Sequence, residues 1–163
     1  MSVPIKLVID TNVWLNYFLP DRRGHEQALD LLRAACEKDA SIMFPLTALK
    51  DVFYLTGAML KRYIRSEQRE LSEAQARAIT ETCWGFIETM GELGTPIGAD
   101  LSDAWLARKY RSLHSDFEDN LVLAAAQRVG ADVLVTEDVA LIQHAPVCAM
   151  TAQDAMRYLD VRD

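Results

Sequence analysis

Four segments of the sequence each bring a carboxylate to a place where it could do chemistry. "KLVID" (6–10) is an apolar run that stops at Asp10, with Thr11 and Asn12 directly after. "VLVTED" (133–138) repeats the pattern, ending on Thr136, Glu137 and Asp138. "SDFEDN" (115–120) sets Asp116, Glu118 and Asp119 at a helix start, and Asp51 lies inside the apolar "LTALKDVFYL" (46–55). Taken singly, most of these acids have a bland explanation: Asp10, Asp116 and Asp138 can cap helices, and Asp119 suits a first turn. Asp51 is harder to dismiss. Its helical neighbours, Thr47, Ala48, Tyr54 and Leu55, include no base, and Lys50 leaves the helix about 100° away. No ion pair is therefore expected from its own helix, and an unpaired buried carboxylate is costly. Several carboxylates in one cleft repel unless a cation sits between them. Oxygen ligands suit Mg²⁺ or Mn²⁺, and the natural chemistry is phosphodiester hydrolysis, in which the metal polarises the phosphate and lowers the pKa of a bound water.

What could bring these acids together is an alternation of strands and helices. Short apolar runs at 5–9, 41–44 and 133–135 read as buried strands, and "PVCAM" (146–150) as an edge strand starting at Pro146. Between them lie helical patterns: "NVWLNYF" up to Pro20, residues 25–38, an apolar helix over 46–65 expected to be mostly buried, and a helix over 71–93 opening at Ser72. Gly94 and Pro96 read as a chain break. Residues 100–113 form a further helix with Ala104, Leu106 or Ala107, and Tyr110 inward. Asp116 caps a helix over 117–129 that ends at Gly130, "VALIQH" starts a short helix, and a last helix follows Thr151. Such alternation is the signature of a parallel sheet covered on both faces, here in one domain over 1–163. In such a sheet ligands bind beyond the carboxyl ends of the strands, the edge on which Asp10 and Asp138 stand.

Composition narrows the classes. Half of the 163 residues are hydrophobic, so a packed core is expected. The net charge of -7 argues against gripping nucleic acid through a broadly basic surface, though clustered carboxylates that bind cations would give the same balance. No apolar run approaches the ~20 residues that span a bilayer, and "MSVPIK" does not read as a signal peptide. Three widely spaced cysteines, Cys36, Cys83 and Cys148, read as buried thiols of a reducing cytoplasm. His25, His114 and His144 show no ligand spacing and read as surface or cap residues.

"VIDTNV", "PLTALKDVFYL", "DFEDNLVLAAAQRVGAD" and "VLVTED", in this order and spacing, resemble the PIN domain family almost end to end, and in particular bacterial toxins of the VapC type. The resemblance implies a mostly parallel five-stranded sheet sandwiched between helices, and an Mg²⁺- or Mn²⁺-dependent ribonuclease. It matches Asp10, Asp119 and Asp138 to the family's acids. Asp51 falls where most members carry Glu, one methylene longer. Asp116 would be a direct or outer ligand, and Asn12 and Thr136 polar supports for the carboxylates. A toxin of this type would act on RNA in the cytoplasm as a homodimer, away from membranes, and be silenced by a small antitoxin protein. Trp14, Tyr17 and Phe18, or the 46–65 helix, could offer the groove or dimer face.

Other readings carry distinct signatures. A haloacid-dehalogenase-like phosphatase needs a second Asp two residues after the first, where this chain has Asn12. A receiver domain needs its acceptor Asp at a strand end, and Asp51 lies in a helix. A protein of the same fold with a degraded site, binding RNA or protein without cleaving, remains the alternative. Arg22–Arg23, Lys61–Arg62 with Arg65, and Arg108–Lys109 with Arg111 could hold an RNA strand, but such charges more often lie solvated on helix faces.

Overall fold

The computed structural model describes residues 3–68 and 70–161. Strands β1 (Lys6–Ile9), β2 (Ser41–Pro45), β3 (Thr95–Ile97), β4 (Val133–Val135) and β5 (Ala149–Met150) form one sheet in the order β3-β2-β1-β4-β5. Every neighbouring pair is parallel, and Val8 stands opposite Met43 on one side and Leu134 on the other. Strand periodicity sorts the side chains. Leu7, Ile9, Val133 and Val135 join one apolar cluster; Val8 and Leu134 join the other. A sheet apolar on both faces needs helices on both.

Helices α1 (Thr11–Phe18), α2 (His25–Glu37), α3 (Leu46–Gln68), α4 (Glu73–Leu93) and α8 (Ala152–Val161) supply the first cluster. Helices α5 (Leu101–Lys109), α6 (Phe117–Arg128) and α7 (Val139–His144) supply the second, with Tyr110 from a 3-10 turn (Tyr110–Ser112). Local chemistry sets their ends. Ser72 and Gln75 close a capping box on α4 (Gln75 N–H to Ser72 Oγ, 3.2 Å; Ser72 N–H to Gln75 Oε1, 2.9 Å). Gly130, at φ 63°, ends α6, and Thr151 caps α8 through the Asp154 N–H at 3.2 Å.

Five expectations need correction. Residues 95–97 form a strand, not merely a break. Pro96 is tolerated because β3 is an edge, and Gly94 lets the chain lie against β2, since a Cβ there would sit 2.9 Å from the Ile42 carbonyl oxygen. The edge strand β5 is confined to Ala149–Met150, short of the expected 146–150. Helix α3 is not mostly buried: its buried residues are Ala48, Val52, Thr56 and Gly57, while Tyr54 and Tyr63 are 68% and 61% exposed. It pairs with α4 as a helical hairpin, and the side away from α4 and the sheet faces water. On α5 the inward residue of the first turn is Asp103, not Ala104, because Arg128 and the Asp100 N–H satisfy its carboxylate. Of the cysteines, only Cys83 is buried.

Trp14, one of the aromatics that could offer a groove or dimer face, belongs to the core. It is fully buried, edge-on to Phe44 at 5.4 Å between centroids, and Phe18 stacks on Phe86 at 4.3 Å. The aromatics of α1 are therefore core rather than groove. No helix among the described residues is long and apolar enough to cross a membrane.

Candidate metal centre

Strand β1 continues its ladder one residue past its end, where the Asp10 N–H donates to the Val135 carbonyl at 2.9 Å. That bond fixes Asp10 on the carboxyl edge, where its side chain is 6% exposed. Both carboxylate oxygens are held. Oδ1 accepts the Thr11 N–H at 2.7 Å and caps α1. Oδ2 accepts the Thr136 hydroxyl at 2.7 Å and the Asn12 amide at 3.0 Å. Asn12 also donates to Thr136 Oγ1 at 3.0 Å and accepts the Glu137 N–H at 3.1 Å. Asn12 and Thr136 thus tie the ends of β1 and β4 together through the carboxylate between them. Glu137 turns away, its Oε1 accepting the Ala152 N–H at 2.9 Å.

Asp119 comes to this edge from the first turn of α6, and Asp138 from the N-cap of α7, where its Oδ1 accepts the Leu141 N–H at 3.0 Å. One ligand atom each from Asp119, Asp138 and His114 lies within 4.8 Å of the others. His114 is therefore not a bland surface residue. Its Nδ1 accepts the Asp116 N–H at 3.2 Å and stands 3.4 Å from Asp119 Oδ2. A ring nitrogen does one of these at a time: without a proton on Nδ1 its lone pair takes the amide, and with one it donates to Asp119. Asp116 behaves as a cap, its Oδ1 accepting the N–H groups of Glu118 at 2.8 Å and Asp119 at 3.2 Å.

Asp10, Thr11, Asn12, Asp51, Glu118 and Asp119 line one open cleft of about 360 Å³. Asp51 is not unpaired: Lys50 Nζ lies 3.1 Å from its Oδ1. The Cα directions diverge as helical geometry requires, but four methylenes let the ammonium fold back. Glu118, in the "DFED" stretch, lies near Asp51 and lines the same cleft.

Crowding shows in the protonation of the acids. Burial pushes the Asp10 carboxyl up, against the pull of its Thr136 and Thr11 hydrogen bonds, with the charges of Asp138 and Glu118 pushing the same way as burial. Asp119 is raised to about 6, by burial first, then by Asp10, Asp116 and Asp138, with His114 opposing. Glu118 is raised by burial and by the charge and hydrogen bond of Asp51, with Lys50 opposing. Oxygen donors that repel one another suit a hard divalent cation, which would remove the repulsion it finds. The residues present therefore fit such an ion: Asp119 and Asp138 cluster with His114, and Asp10 lines the cleft beside Asp119.

Fold and site together define an α/β protein with an acidic cleft, fit for a divalent cation, at the carboxyl edge of a parallel sheet. A family model described as PIN domain matches residues 6–140, and the chain belongs to that family. PIN domains are generally divalent-metal-dependent nucleases, so the protein is of nuclease type. A search of curated proteins gives no match.

Proposed function

We propose that the protein is an Mg²⁺- or Mn²⁺-dependent endoribonuclease, and the toxin of a bacterial toxin–antitoxin pair. The observation that carries the nuclease reading is that Asp119 clusters with Asp138 and His114 and shares one cleft with Asp10, Asp51 and Glu118. The ion, when bound, supplies a Lewis acid for the scissile phosphate and acidifies a water. The chain's own residues do the rest. Asp10, Asp119 and Asp138 hold the charge. Thr136 and Asn12 fix the Asp10 carboxylate in one orientation. Asp116 holds the first turn of α6, and so the placement of Asp119. Asp51, where the family mostly has Glu, shares the acceptor side of the cleft with Glu118, which supplies the longer arm that Asp51 lacks.

The toxin reading implies a cytoplasmic homodimer held silent by an antitoxin. The exposed apolar stripe of α3, with Tyr54, Met59 and Tyr63, is the surface best suited to a partner. The test is cleavage of RNA with Mg²⁺ or Mn²⁺ by the wild type and by Asp10→Asn. Cleavage is expected to need the metal and to disappear in the variant. Equal cleavage by Asp10→Asn, or cleavage that survives EDTA, would sink the proposal, and no cleavage by the wild type with either metal would favour the same fold acting as a non-catalytic binding module.

A further inference from the structure

A second groove, of about 610 Å³, lies on the other side of the first turn of α6. Its walls carry Trp105, Arg108, Lys109 and Arg111 from α5 and the turn after it, and Phe117 and Asn120 from α6. Trp105, Arg108 and Lys109 are three and four residues apart, so they share one helix face. Trp105 is 55% and Phe117 57% exposed, so large aromatic area is left in water. The Lys109 ammonium sits 3.7 Å from the centroid of the Trp105 ring. No acidic side chain lines this groove among the described residues, although the chain carries a net charge of -7. Asn120, 2% exposed, donates its amide to the His114 carbonyl at 2.9 Å, while its Oδ1 has no hydrogen-bond partner.

We propose that this groove binds single-stranded RNA beside the scissile phosphate, with bases against Trp105 and Phe117 and phosphates against Arg108, Lys109 and Arg111. The inference rests on the ribonuclease reading and adds the surface that holds the strand. Aromatic faces interleaved with cations are the chemistry of sequence-tolerant single-strand binding: every base has a face to stack, and every phosphate a charge to neutralise. A duplex hides its base faces and cannot use the aromatics. Asn120 adds an acceptor in the groove wall, available to a ribose hydroxyl or base N–H once the wall relaxes. Position links the groove to the chemistry. Phe117 faces the groove while Glu118 and Asp119, the next two residues, face the acidic cleft, so a strand lying along α5 reaches the metal ligands across one helical turn. An acidic cleft by itself repels RNA, and a neighbouring cationic groove offsets that repulsion.

The experiment measures binding of a short fluorescein-labelled single-stranded RNA by anisotropy, in EDTA so that nothing is cut. Trp105→Ala is expected to weaken binding about tenfold, and Trp105→Phe to restore most of it. Arg108→Ala with Arg111→Ala is expected to lower the slope of log affinity against log salt by about 0.7 for each phosphate no longer neutralised. The labelled strand annealed into a full duplex is expected to bind more weakly. In cleavage assays with metal, the Trp105 and Arg108 variants are expected to raise KM and leave kcat near wild type. Arg33→Ala on α2, which packs on the opposite face of the sheet, serves as the control, expected to leave affinity within about twofold. Wild-type affinity in the groove variants, or an equal loss in the α2 control, overturns the proposal; the former would leave the groove to an acidic protein partner. Equal binding of duplex overturns the stacking. If the wild type binds RNA through the groove but cuts none with either metal, the enzymatic reading falls and the groove stands. If it cuts RNA and the groove variants behave as wild type, the groove falls and the enzymatic reading stands.

Discussion

Two buried aspartates, Asp103 and Asp10, sit in opposite circumstances. Asp103 lies on α5, 3% exposed, and is fully provided for. Arg128 reaches it with Nε at 2.8 Å and Nη2 at 3.0 Å, and the Asp100 N–H donates at 2.9 Å. The same guanidinium donates to the Gly98 carbonyl at 2.6 Å, so the pair ties α6 to the segment before α5. Asp10 is also buried and hydrogen-bonded, but the charges around it are those of Asp138, Glu118 and Asp119. A buried acid with its own cation is a strut. A buried acid among acids is a site that still wants a cation. Burial alone does not separate the two; the sign of the neighbours does.

The comparison breaks most sharply through Asp119→Asn. RNA cleavage should fall by more than the 10- to 100-fold typical of losing an outer partner of a metal. The metal-free fold should be as stable as wild type or more so, because one carboxylate among Asp10, Asp116 and Asp138 has gone. Urea unfolding in EDTA beside a cleavage assay reads both. A destabilised variant would make Asp119 a strut like Asp103.

Asp103→Ala should give the opposite result, a loss of about 2–3 kcal/mol in urea unfolding, because it strips a bidentate partner from Arg128 and one half of the capping box from α5. Metal affinity, read by Mn²⁺ titration, should hardly change. A large loss of Mn²⁺ affinity with little change in stability would erase the distinction.

Thr136→Val stands between the two. It keeps the shape of the β4 end but removes the hydroxyl donor to Asp10. A stability cost of about 1 kcal/mol is expected, with a fall in cleavage of about tenfold or more as Asp10 loses its fixed orientation. Unchanged cleavage would show that Asn12 alone suffices.

The smallest effect is on pH dependence. Asp119 has its folded pKa raised to about 6 from 3.8, so the folded chain holds that proton more tightly than the unfolded chain. Its contribution to the stability of the metal-free protein is therefore present at low pH and lost as pH rises through about 6. Metal binding runs the other way: Mn²⁺ must displace the proton, so affinity should drop as pH falls through about 6. Calorimetric titration across that range checks the second trend, and unfolding in EDTA the first. Mn²⁺ affinity flat across this range would remove Asp119 from the ligand set.

Much of this was legible in the chain. Apolar runs ending on Asp10 and Asp138 marked strand ends at one sheet edge, because a parallel crossover returns each strand to the same direction. The caps at Ser72, Asp116 and Thr151 were readable from residue type alone. What escaped had no local signature. Residues 95–97 are too few, and too interrupted by Pro96, to show a period. His114 meets Asp119 across a turn rather than at helical spacing, and Glu118 needed α3 beside it before its role had a partner. Lys50 was excluded from Asp51 by the angle of its Cα, which says nothing about where a flexible ammonium ends.

Apart from β3, the sequence by itself determined which segments become strands and helices, and that acids stand where strands end, because propensity, periodicity and capping act over a few residues. Only the tertiary structure decided which acids face one another and which acquire a cation. Asp103 finds Arg128, and Asp10 finds Asp119 and Asp138, through packing between elements far apart in the chain, and the charge a side chain meets depends on that packing alone.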